Sequence, residues 1–158
     1  MSRLPSLGPR GEGWVAIQVV LFVVVFVAGF AGPNVDGVLR GVLGVAGAIL
    51  VAGGGYLGVR GLLDLDAALT PLPHPRDGAE LVERGSYRLV RHPIYGGIVI
   101  AAAGYALVAA SLLAFAGALG MLVFFRLKSG REEAWLRDRY PAYEAYAART
   151  KRMLPLLY

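Results

Sequence analysis

The chain has 158 residues, 56% of them hydrophobic and 17% charged, with 16 Lys and Arg against 11 Asp and Glu for a net charge of +5. A soluble domain carries about 25% charge, so this balance excludes an ordinary soluble domain, and cations placed beside apolar runs assign the surplus charge to membrane topology rather than to nucleic acid. The absence of cysteine excludes disulfides, thiolate metal sites and cysteine nucleophiles, and no metal site is expected.

Met1 to Gly13 carries no small-residue cleavage site, and the apolar run after it is too long for a signal-peptide core. Trp14 to Gly32 has about nineteen residues and no charge, enough to cross a bilayer. Its Gln18 is expected to hydrogen-bond to a neighbouring helix. Pro33-Asn34-Val35-Asp36-Gly37 reads as a tight turn. Val38 to Gly58 forms a second span, with Arg40 snorkelling at its start. Gly37, Gly41, Gly44, Gly47 and Gly53-Gly54-Gly55 line it with small residues, which predicts a helix packed inside the bundle. A phosphate-binding loop is excluded, because no strand precedes these glycines and no Gly-Lys-Ser/Thr follows.

Val59 to Arg84 reads as a polar connection, extended around His74 by Pro71, Pro73 and Pro75, with His74 solvated. Gly85 to Gly97 follows, reading GSYRLVRHPIYGG. Pro93 suits the first position of a helix, which puts Arg91 and His92 at its aqueous mouth. Ile94 to Phe125 is uncharged over about thirty-two residues, too long for one upright span. It predicts two short helices in a tight hairpin bending between Gly104 and Ser111, where no strong turn signal stands. From Arg126 the chain turns basic, through Lys128, Arg131, Arg137, Arg139, Arg149, Lys151 and Arg152. Glu133 and Arg137 are spaced for a helical ion pair. Pro141 breaks that helix, and Tyr143, Tyr146 and Arg149 share one face of a second.

The expected fold is therefore an all-α integral membrane domain. Four transmembrane helices, the last two a short hairpin, precede a cytoplasmic helical tail. One domain covers 1–158: two spans in 1–58, a cytoplasmic loop in 59–92, the hairpin in 93–127 and the tail in 128–158. The basic segments fall on one side of four spans, so both termini face the cytoplasm of the cell membrane. Arg91-His92 and Glu132-Glu133 flank the same hairpin on that side. A pocket between them suits a zwitterionic cofactor from the cytosol and a lipophilic acceptor from the bilayer.

Gly85-x-Tyr87-Arg88-x-Val90-Arg91-His92-Pro93-x-Tyr95-x-Gly97, then Glu132-Glu133, Tyr143-x-x-Tyr146-x-x-Arg149 and Leu154-Pro155, resembles the isoprenylcysteine carboxyl methyltransferase family, related to the phospholipid N-methyltransferases. The resemblance spans Leu81 to Pro155. It implies a membrane methyltransferase that uses S-adenosyl-L-methionine. Tyr87, His92, Pro93, Tyr95, Gly97, Glu132 and Glu133 would surround the cofactor, and Arg91 and Arg149 would approach the acceptor. Residue chemistry leaves the acceptor open. A carboxylate is already nucleophilic at neutral pH and wants an arginine to orient it, whereas an amine needs a proton acceptor, for which histidine is the suitable residue type. Two rival readings stand beside this one. The Arg-His ahead of Tyr-Gly and the closing Pro155-Leu156-Leu157-Tyr158 also resemble NADPH-dependent sterol-reductase-like proteins. A non-enzymatic four-helix carrier would want an ionisable group within the bilayer, and the apolar cores offer only Arg40 near an end.

Overall fold

The computed structural model describes residues 5, 7–33, 35–66, 69–70, 72–74 and 78–155. Among them are five α-helices and, in place of any sheet, a single isolated bridge: α1 (Glu12–Ala28), α2 (Gly37–Leu65), α3 (Pro93–Val108), α4 (Leu112–Arg139) and α5 (Tyr143–Arg149). Glu12–Ala31, Gly37–Leu65 and Leu112–Arg139 are long and apolar enough to cross a membrane. The fourth, α3, has 16 residues, about 24 Å of helix, so it falls short of an upright crossing of a hydrocarbon core about 30 Å thick.

The helices alternate in direction. At one end Tyr105 of α3 donates to Phe26 O of α1 at 2.7 Å, and Arg40 of α2 donates to Val108 O of α3 at 2.6 Å. The other end gathers the start of α1, the end of α2, the start of α3, the polar half of α4 and all of α5. There the backbone N–H of His74 donates to Arg10 O at 3.4 Å. Both terminal segments thus lie at the same end, where the cations are.

α2 departs from expectation in two ways. It runs about two turns past Gly58 to Leu65, because Arg60 and Asp64 make an i,i+4 ion pair at 3.0 Å and extend the helix into what reads as polar connection. It is also an edge helix rather than an interior one. Gly47, Gly54 and Gly61 recur every seventh residue and press on α3, where a Cβ on Gly54 would meet Gly97 O and Ala101 N at 2.6 Å. Gly41, Gly44, Gly53 and Gly55 face open space, and Val38, Val45 and Ile49 are exposed as lipid-facing residues are. Of the seven glycines expected to pack this helix into the bundle, only Gly47 and Gly54 serve helix contact.

The hairpin bend lies at Ala109–Ser111, within the expected region. Ala110 takes φ +50°, and Ser111 both caps α4, its Oγ accepting from Ala114 N at 3.1 Å, and donates to Ala28 O at 2.6 Å. The second arm is not short: α4 continues without a break from the apolar hairpin into the charged segment and ends where Pro141 forbids it to continue. Tail and hairpin are one rod. Gln18 makes the expected bond to another helix, accepting from Lys128 Nζ of α4 at 2.6 Å.

The glycine pattern yields a pair of opposite expectations. Gly54→Ala should lower the melting temperature in detergent, because the α2–α3 backbones must separate, with overpacking of this kind worth about 1–3 kcal/mol. Gly55→Ala, with nothing within 4 Å of the added methyl, should raise stability by about 0.5–1 kcal/mol through helix propensity. Equal shifts of one sign would contradict this packing.

Candidate active site

The chain around Arg91 is extended and pairs with the C-terminal segment: Arg91 N–H donates to Lys151 O and His92 N–H to Arg152 O, each at 2.9 Å. Gly96 permits the approach, since a Cβ there would collide with the Met153 carbonyl. Pro93 then opens α3, and His92 precedes it as N-cap. On the facing helix, adjacent Glu132 and Glu133 point roughly 100° apart, and that rotation gives them different surroundings.

Glu133 is fully buried among cations. Its Oε1 accepts from Arg91 Nε at 3.0 Å and lies 3.1 Å from His92 Nε2, while Oε2 meets Arg152 at 3.0 Å and Arg137 at 3.4 Å. Arg91 reaches further, because its NH1 also donates to Ala147 O at 2.9 Å and to Thr150 O at the end of α5. A cation there complements the carbonyl end of the helix.

Glu132 faces a cavity of about 360 Å³, within the size range of small-molecule sites. Tyr95 Oη donates to Glu132 Oε2 at 2.9 Å, and His92 Nδ1 stands 3.8 Å from the same oxygen. His92 stacks on Tyr95 at 5.4 Å and Tyr95 on Phe125 at 4.8 Å, a column of rings running from the mouth into the core. Tyr87, Tyr140, Tyr143 and Tyr146 form the outer wall, and Leu62, Ile94 and Ile98 an apolar one. Burial pushes the phenols of Tyr87, Tyr143 and Tyr146 above their ordinary range, so this rim consists of neutral donors. Tyr146 donates to Tyr87 O at 2.8 Å, whereas the buried Tyr143 hydroxyl has no partner among the described residues.

Of the residues expected to act here, Tyr87, Arg91, His92, Tyr95 and Glu132 line the cavity. Pro93 and Gly97 lie instead against α2, at Gly61 and at Gly54 and Gly58. Glu133 sits behind the wall in the ion cluster. Arg149 is exposed on the outer face of α5, paired with Glu83 and lying 5.7 Å from the Tyr146 ring, away from the cavity. His74 is not simply solvated: its ring meets Trp135 edge-on at 5.3 Å. The sequence reading passed over Gln18 and Lys128 as site residues, yet both line the cavity. The spacing of Lys128, Glu132, Leu136 and Tyr140, each four residues apart, was the available signal.

The sequence model of the phospholipid methyltransferase family matches residues 42–143, well over half the chain. The match runs from within α2 to the first residue of α5. It includes every expected site residue except Arg149. No curated protein matches the chain.

The two glutamates should respond differently to loss of charge. Glu133→Gln removes the buried anion that Arg91, Arg152 and the buried His92 converge on, a change worth roughly 3–5 kcal/mol, so denaturant unfolding in mild detergent should show a stability loss of that order. Glu132→Gln keeps an acceptor for Tyr95 and should shift stability by about 1 kcal/mol or less. Equal losses would contradict the division of roles.

Proposed function

The chain belongs to the phospholipid methyltransferase family, a family of membrane methyltransferases, and from that premise we propose that it moves a methyl group from cytosolic S-adenosylmethionine to a lipophilic acceptor reached through the cell membrane. The observation that carries this reading is the cavity itself: Glu132, Tyr95, His92 and Lys128 on one wall, and Leu62, Ile94 and Ile98 on another, at the polar end of the bundle.

The residues fit the cofactor chemically. A buried carboxylate suits its ammonium group, the tyrosine and leucine surfaces of Tyr140, Leu136 and Leu72 suit a flat base, and the unpartnered Tyr143 hydroxyl offers a donor. When bound, S-adenosylmethionine supplies an activated methyl group on a sulfonium. The protein's part is alignment for in-line displacement and exclusion of water, rather than covalent help. Folding of α5 over the mouth, with Tyr143 and Tyr146 buried, provides the exclusion.

Between the acceptors left open by the sequence, a phospholipid amine is favoured over an isoprenylcysteine-like carboxylate by one observation. The two arginines suited to grip a carboxylate are engaged elsewhere, Arg91 on Glu133 and the α5 carbonyls and Arg149 on Glu83. An amine must shed its proton before attack, and His92, with Nδ1 3.8 Å from Glu132 on the cavity side, is the group positioned to receive it.

Sealed membrane vesicles containing the protein, supplied with methyl-labelled S-adenosylmethionine, provide the test. Inside-out vesicles should label a lipid-phase product and right-side-out vesicles should not, because both the donor site and the termini face the cytoplasm. The label should resist alkali, as an N-methyl group does. Alkali-labile label released as methanol would replace the amine by a carboxylate acceptor. Absence of transfer, with NADPH rather than S-adenosylhomocysteine stabilising the purified protein, would contradict the methyltransferase reading.

A further inference from the structure

Lys128, Glu132, Leu136 and Tyr140 form one stripe of α4 along the cavity. Lys128 is the inner member of this stripe and is 1% exposed. Its Nζ donates to Gln18 Oε1 of α1 at 2.6 Å and stands 5.2 Å from the centre of the Tyr95 ring. The hydroxyl of that same ring holds Glu132 Oε2 at 2.9 Å. Tyr95 therefore carries a cation on its face and a carboxylate on its edge, one helical turn apart, about 5–6 Å between Cβ atoms. A buried lysine close to the apolar part of a membrane helix marks a functional site whose partner has to be named.

We propose that Lys128 binds the carboxylate of the cofactor's amino-acid end, with Glu132 on the ammonium of the same group and Gln18 holding the lysine in position. This assignment rests on the methyltransferase reading and deepens it. A zwitterion satisfies both poles at once. A simple anionic lipid head would meet Lys128 but be repelled by Glu132 one turn away. Arg91 Nε and His92 Nε2 both face Glu133. Gln18 lies outside the stretch matched by the family model, so α1 adds to the site a contact that this stretch does not contain.

Calorimetric titration of the detergent-purified protein with S-adenosylhomocysteine and with 5′-methylthioadenosine, which lacks the amino-acid end, tests the assignment without requiring an acceptor. Lys128→Met should weaken S-adenosylhomocysteine about tenfold or more, the scale of a lost charge-assisted bond, and leave methylthioadenosine unchanged. Lys128→Arg should retain most of the affinity for S-adenosylhomocysteine. Unchanged S-adenosylhomocysteine affinity in Lys128→Met would overturn the inference, and so would an equal loss for both ligands, which would make Lys128 a support of the fold. Wild-type protein that binds neither ligand would overturn the underlying methyltransferase reading instead.

Discussion

One buried carboxylate decides the architecture of the polar end. Glu133 draws in Arg91 and His92 from the mouth of α3, Arg137 from its own helix and Arg152 from the C-terminal segment. A charge without solvent is tolerated only when paired and hydrogen-bonded, so these groups must converge for the helices to pack at all. The consequence is positional. With Arg91 Nε fixed on Glu133, its NH1 caps the end of α5, and α5 is held with Tyr143 and Tyr146 over the cavity. The outer wall of the cavity is therefore secured by an ion cluster whose central carboxylate, Glu133, does not itself line the cavity.

The same end reconciles two solvents. Along α4 the helix passes from Ala114, Ala118 and Phe125 in the apolar bundle to Arg137 and Arg139 at its polar end without interruption. Continuity matters because a helix satisfies its own backbone groups through the interface, where an irregular segment would not. Lys128 and Glu132 fall at the transition between the two halves of the rod. There a side chain is removed from water beside the cavity, whose lining from α2 and α3 includes the apolar Leu62, Ile94 and Ile98. The edge position of α2, bare on its outer face and glycine-close to α3 on its inner one, leaves this side of the bundle next to lipid.

Residues whose roles follow from local covalent geometry were the legible ones. Pro93 starts a helix and Pro141 stops one because of what proline lacks, and Gln18 needed a partner in an apolar run. The family kinship was legible from an ordered run of motifs, and the match to the phospholipid methyltransferase family bears it out. Less legible was anything that depends on which way a helix is rotated. Glu132 and Glu133 read as one acidic pair, yet about 100° of helical phase sends one to the cavity and the other to the ion cluster. Lys128 read as one more tail cation because the apolar run had ended at Phe125, although its i,i+4 relation to Glu132 was available. Arg149 shares a three-residue spacing with Tyr143 and Tyr146, but on a helix of two turns that spacing drifts, and Arg149 ends outside on Glu83. The hairpin bend was legible only to within Gly104–Ser111, since a serine cap within an alanine- and leucine-rich run is a weak sequence signal.

The central claim is that the cavity beside α4 is the methyl-donor site, with its polar poles at Lys128 and Glu132. The most direct measurement is an experimental structure of the protein with S-adenosylhomocysteine. The account predicts ligand density inside this cavity, with the amino-acid end between Glu132 and Lys128 and the base toward Leu136 and Tyr140. Density for the ligand at any other place on the protein, or in the reverse orientation with the base against Gln18, would contradict it.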